Sequence, residues 1–152
     1  MQLDEFFPYR LAVASETFSR NLADVYVNEF GLNREEWRLL FLLARAGRLT
    51  SSDLARRTTL DKVQVSRASQ RLEKKRLITR DVPIQDRRLR EYTCTEAGKR
   101  LFDKALPRVR ARAEEMLSHL STADRAALQQ GVAALAVALG KGQAAEAEDT
   151  DG

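Results

Sequence analysis

The chain has 152 residues, 43% hydrophobic and 32% charged, with a net charge of +4. That is enough for one domain or one compact subunit with its own core. No stretch approaches 18 uncharged apolar residues, which excludes a transmembrane helix. Cys94 is the single cysteine, so no internal disulfide can form, as fits a reducing cytoplasm. The opening MQLDEFFPYR has neither the basic nor the apolar region of a signal peptide. A cytoplasmic protein without membrane contact is expected.

Residues 8–28 predict a long helix, with Leu11, Ala14, Phe18, Leu22 and Val25 on one apolar stripe. Pro8 suits its first turn and Gly31 its end. Asn33 is a good cap for a second helix, with Glu35 and Glu36 in the first turn, where the helix dipole favours carboxylates. That helix runs through Trp37, Leu39, Leu40, Leu42 and Leu43 to about Ala46, and Gly47 stops it. It is apolar on more than one face and reads as the central buried helix.

Thr50 caps the next helix and forms an approximate capping box with Asp53. Leu54 and Ala55 face inward there, and Thr58, Thr59 and Leu60 form a turn. Asp61 caps a helix over 61–75 that carries Val63, Val65, Ala68 and Leu72 inward. Residues 77–82 alternate as a strand, 83–88 form a charged loop, and 90–93 return as a second strand. Thr95 caps a long helix to about His119, with a kink or break expected near Leu106 because Pro107 follows. Ser121 caps a last helix striped by Leu128, Val132, Leu135 and Leu139 and ended by Gly140. Residues 141–152 read as a disordered acidic tail.

The order helix, tight turn, helix, two-stranded ribbon is that of a winged helix-turn-helix. The charge agrees with it. Residues 45–100 carry 16 basic and 7 acidic groups, a net +9, while residues 1–44 sum to −3 and residues 101–152 to −2. A polyanion is steered to the middle segment alone, and double-stranded DNA is the expected partner. The helix at 61–75 is the expected recognition helix, its first turns entering the major groove.

Lys62, Gln64, Ser66 and Arg67 are placed to reach bases, Gln64 matching adenine and Arg67 guanine. Gln70, Arg71 and Lys74 complete that helix's polar surface, with Arg71 and Lys74 assigned to phosphate or solvent. Thr50, Ser51 and Ser52 lie at a helix N-terminus, where N–H and hydroxyl groups can meet a phosphate. Arg87, Arg88 and Arg90 make the wing a minor-groove probe, and Asp86 is expected to hold Arg88 in a fixed pose. The other reading of these cations is a solvated surface. The flanking helices leave apolar stripes uncovered, which predicts a two-fold homodimer presenting two recognition helices about one DNA turn apart.

The run from Leu54-Ala55 through Val65-Ser66, Leu72-Glu73 to Leu77, Asp86-Arg87-Arg88 and Thr95-Glu96-Ala97-Gly98 resembles the core of the MarR family. Two positions depart from the family pattern. Arg76 stands where glycine is usual, and Cys94 where leucine is usual. The resemblance, over roughly residues 8–139, implies a mainly α fold with a small β-wing. It comprises a DNA-binding lobe over 33–98 and an α-helical dimerisation lobe from 8–30 and 100–139, all within one subunit over 1–140.

It further implies a transcriptional repressor, released from a palindromic operator by a small ligand, often an aromatic carboxylate or an acyl thioester. Family ligands bind in a cleft lined by the first, second and fifth helices. The candidates here are Tyr9, Arg10, Phe18, Trp37, Arg38 and Phe41, with Arg10 forking onto a carboxylate and Trp37 and Phe41 as aromatic walls. Aromatic residues at helical spacing also read simply as core.

Three alternatives are open. Cys94 raises redox sensing, although its place on the second wing strand, without a resolving thiol, favours packing. A protein-binding adaptor is a second, opposed by the basic recognition helix. An enzyme is the third. With His119 the one histidine, no Ser-His-Asp set or His/Cys metal cluster assembles, and no glycine-rich phosphate loop occurs. Neither a cofactor nor a metal is expected.

Overall fold

The computed structural model describes residues 2–82, 85 and 90–149, the stretch 141–149 by backbone alone. The chain divides into two compact units, Met1–Arg112 and Ala113–Gly152. Within the first unit a short 3-10 turn, Leu3–Glu5, leads into helix α1, Phe7–Phe30. Gly31 ends α1 in the left-handed conformation, φ 67°. Its N–H donates to the Val27 carbonyl at 3.1 Å and the Leu32 N–H to that of Tyr26 at 3.0 Å, which turns Leu32 into the core. On α1 only Ala23 and Tyr26 are buried; Leu22 and Val25 pack partly against the core, while Phe7, Val13, Phe18 and Val27 are exposed in the single chain.

Helix α2, Arg34–Ala46, starts where the Asn33 side chain accepts from the Glu36 N–H at 2.8 Å. Leu39, Leu40 and Leu43 are fully buried, each contributing about 2 kcal/mol of transfer free energy. Gly47, at φ 81°, does more than stop α2. It turns the chain into a strand where the sequence pattern shows only a break: β1, Arg48–Thr50. Helix α3 follows over Ser51–Thr58 and α4 over Lys62–Lys74. Strands β2, Ile78–Asp81, and β3, Glu91–Cys94, form the ribbon.

The sheet order is β1-β3-β2, antiparallel throughout, with Tyr92 opposite both Leu49 and Arg80. The Cys94 N–H donates to the Gly47 carbonyl at 3.0 Å, so the ribbon is anchored at its base to the end of α2.

Leu77 lies where α4, the ribbon and the helix after it meet. At the end of α4 the Leu77 N–H donates to the Leu72 carbonyl at 3.0 Å and the Arg76 N–H to that of Glu73 at 2.9 Å. This paired closure requires a left-handed residue between them, and Arg76 supplies it at φ 60°. The Thr95 hydroxyl then accepts from the Gly98 N–H at 3.0 Å, opening helix α5, Glu96–Leu117. It also lies 2.8 and 3.0 Å from the carbonyls of Arg76 and Leu77. Gly98 passes so close that a Cβ would stand 2.2 Å from the Leu77 oxygen and 2.9 Å from Cys94 Sγ.

Several polar ties join the elements of the first unit, among them these. Lys75 Nζ donates to the buried Glu36 carboxylate at 2.5 Å and to the Gly31 carbonyl at 2.7 Å, joining α1, α2 and α4. Arg108 on α5 pairs with Glu29 on α1. α5 is not broken at Pro107, which costs the helix one N–H donor but not its continuity.

In the second unit, Ser121 accepts from the Asp124 N–H at 3.0 Å and opens helix α6, Thr122–Asp149. Leu128, Val132, Leu135 and Leu139 are all exposed. Gly140 does not end α6. The expected irregular tail is helical through Asp149, in keeping with the helix-forming alanines and glutamates of that stretch. Among the described residues no helix is long and apolar enough to cross a membrane.

Candidate nucleic-acid interface and ligand pocket

Asp61 and Gln64 open α4 as a reciprocal cap. The Gln64 N–H donates to Asp61 Oδ1 at 2.7 Å, and the Asp61 N–H donates to Gln64 Oε1 at 3.1 Å. The helix then buries Val65, Ala68, Ser69 and Leu72 against the lobe. Its opposite side carries Val63, Arg67 and Gln70, with Ser66 half-buried; Val63 and Arg67 are exposed. Lys74 continues that stripe one turn beyond Gln70, while Lys62 and Arg71 flank it on either side; all three are exposed. Val63 does not face inward as its residue type suggests: it is 57% exposed. Nine residues separate it from buried Leu72, about two and a half turns, which is the opposite face of the helix.

At the start of α4 lies a hollow of about 280 Å³ lined by Ser51, Ser52, Ala55, Lys62, Val65, Ser66, Arg90 and Tyr92. Five residues expected on DNA therefore meet: Ser51, Ser52, Lys62, Ser66 and Arg90. The Ser51 N–H donates to the Arg90 carbonyl at 2.9 Å, which fixes the base of the wing against α3. Arg67, Gln70 and Arg71 extend the polar surface along α4. Asp86, Arg87 and Arg88 lie outside the described residues.

Two expected contacts are otherwise engaged. Thr50 Oγ1 donates to Asp53 Oδ2 at 2.9 Å and accepts from the Asp53 N–H at 3.1 Å, so its hydroxyl serves the cap of α3 rather than a phosphate. The Thr50 hydroxyl, with the Thr50 N–H that also donates to Asp53 Oδ2, holds the Asp53 carboxyl below its usual range. Gln64 has its carbonyl engaged by the Asp61 N–H, so a two-point match to adenine must either share that oxygen or open the cap.

The six expected ligand residues do not form one group within the chain. Trp37, Arg38 and Phe41 line a hollow of about 250 Å³ with Leu42, Arg57 and Thr58. Tyr9 and Arg10 line a separate one, of about 550 Å³, with Asp4, Phe7, Leu11, Val13 and Ala14. Phe18 lines neither. Behind the Trp37 hollow is an aromatic stack: Tyr26 lies parallel to Trp37 at 5.2 Å, and Phe102 meets Trp37 at 5.7 Å and Phe41 edge-on at 5.4 Å. Trp37 is thus chiefly core, while Arg45 sits 5.4 Å from the Phe41 ring centre. Arg57, on the last turn of α3, joins the site without any sequence signal. Nothing in its local sequence pairs it with α2.

Burial pushes the Cys94 thiol above its usual range, the reverse of what a reactive thiolate needs. Among the described residues no cluster of His, Cys, Asp and Glu could hold a metal ion.

Residues 30–89 match the model of the MarR family. A curated relative, the HTH-type transcriptional regulator YdgJ of Bacillus subtilis strain 168, is 26% identical over 95 residues. That match covers 62% of this chain and 58% of the relative's length, less than two thirds of it. A probable transcriptional regulator from Pseudomonas aeruginosa superposes with a TM-score of 0.74 at 25% identity, over 88% of this chain and 99% of its own. NadR in complex with 4-hydroxyphenylacetate superposes with a TM-score of 0.68 at 25% identity, over 86% and 92%. With the ribbon-and-helix lobe described above, these matches show that residues 30–89 carry the MarR-family pattern and that the chain is similar to known transcriptional regulators.

Proposed function

We propose that the protein is a homodimeric, DNA-binding transcriptional regulator, a repressor that leaves a palindromic operator when it binds a small aromatic carboxylate or acyl thioester. The observation that carries the reading is the meeting of Ser51, Ser52, Lys62, Ser66 and Arg90 beside the exposed face of α4. Hydroxyls and cations grouped there suit phosphates flanking a major groove. The dimer is supported by the apolar residues left in water on α1 and α6, including Phe7, Val13, Val132 and Leu139.

The ligand reading moves from Arg10 to the pair Arg38 and Arg57, which flank one aromatic-walled hollow. A guanidinium over an aromatic wall suits a carboxylate on a ring, the class of ligand NadR holds. Redox control through Cys94 is disfavoured by the burial of its thiol.

The test is fluorescence anisotropy of the full-length protein on duplex DNA across a salt series. Binding should weaken steeply with salt. Lys62→Ala and Arg90→Ala should each flatten the log–log slope by about 1 for every phosphate that the removed cation neutralises. A duplex affinity indifferent to salt and to both substitutions refutes the interface. For the ligand, 4-hydroxyphenylacetate should raise the melting temperature of the wild type and not of Arg38→Ala/Arg57→Ala.

A further inference from the structure

We infer that Val63 reads the 5-methyl group of a thymine in the major groove and is a specificity-determining residue. The inference rests on the DNA-binding reading above. Val63 occupies the first turn of α4, the part of a recognition helix that reaches furthest into the groove. It is 57% exposed, and it sits on the surface formed with Ser66, Arg67 and Gln70, opposite the buried Val65, Ala68 and Leu72. An apolar, β-branched side chain on an otherwise polar surface gains nothing from that exposure in the single chain.

Among the groups that the four base pairs display in the major groove, the thymine methyl is the one apolar match. The neighbouring position reinforces the assignment. Gln64 has its carbonyl engaged by the Asp61 N–H, and Val63 is the one exposed apolar residue of that turn. The stiff isopropyl group holds few rotamers, so little conformational freedom is surrendered when it meets a base.

The experiment enriches operator duplexes from a random pool with the full-length protein. Each thymine of the enriched site is then replaced by deoxyuridine, which lacks only the methyl group. Affinities are measured for the wild type and for Val63→Ala, a change at an exposed helical position that folding should tolerate. The expected result is that a single uracil in one half-site weakens wild-type binding about fourfold, the worth of roughly one buried methyl-sized group, while Val63→Ala, changed in both subunits, binds the thymine site about 16-fold more weakly and ignores the uracil. Wild-type indifference at every thymine, or an unchanged uracil response in Val63→Ala, overturns the inference and leaves the regulator reading standing. Failure to enrich any sequence overturns the regulator reading and this inference with it.

Discussion

Arg76 holds a backbone conformation that an arginine adopts at a cost. At φ 60° its Cβ crowds the carbonyl oxygen, which costs an L-residue roughly 1–2 kcal/mol. Glycine removes that cost but regains freedom in the unfolded chain, returning about 0.4–1 kcal/mol. Arg76→Gly should therefore stabilise the fold by about 0.5–1 kcal/mol. For a chain of this length that is a rise in melting temperature of about 1–4 °C. The bonds that close α4 use only backbone at this position, and the Arg76 side chain is exposed, so the substitution removes little else.

The assay is differential scanning calorimetry at one fixed protein concentration, because an assembling protein melts in a concentration-dependent way. Arg76→Ala is the control: it keeps the Cβ, so it should not gain. Equal melting temperatures for the glycine and alanine variants would refute the argument, since they would show that the left-handed Cβ carries no cost here.

The neighbouring glycine should behave in the opposite way. Gly98→Ala puts a Cβ 2.2 Å from the Leu77 carbonyl oxygen; backbone cannot yield as a side chain can, so a loss of about 3 kcal/mol in urea unfolding is expected, and trimming the nearby thiol with Cys94→Ala should not restore it. Lys75→Met strands the buried Glu36 carboxylate and should cost about 2 kcal/mol, below the range for a fully buried pair because Lys75 is itself 41% exposed; Glu36→Gln in the same chain should recover most of the loss, and a doubly substituted protein no better than Lys75→Met would sink the idea. Acid should weaken the first unit. Glu16, bonded by Arg34, and Asp53, bonded by Thr50, both have carboxyls held below their usual 4.5 and 3.8, so their contribution is complete above those values and disappears as pH falls through the lower folded values. Glu16→Gln with Asp53→Asn should flatten that acid limb of the stability curve, measured by urea titration from pH 6 to pH 3.

The features legible in the sequence are those that act over three or four residues. Asn33, Thr50, Asp61, Thr95 and Ser121 each cap the helix they are expected to cap, because a short polar side chain needs only the N–H groups just ahead of it. β1 escapes for the converse reason. Three residues give no alternation, and the partner that makes them a strand, around Tyr92, lies far along the chain. The hollow beside Trp37 is of that kind as well: Arg57 joins Trp37 and Arg38 only because the end of α3 folds back against α2.

The position of Val63 differs from these, because its signal is local. Val65, Ala68 and Leu72 already define the buried side of α4, and the helical period alone puts Val63 opposite them. Its residue type points inward and its position points outward, and position wins. The same holds for Gln64, whose spacing from Asp61 is that of a capping box before it is that of a base reader. Both residues sit on the first turn of α4, the proposed recognition helix. There the needs of the helix end and those of a groove-facing surface fall on the same three or four side chains. A base contact by Gln64 must share the carbonyl that closes the cap or release it, whereas Val63 can make its contact with the cap intact.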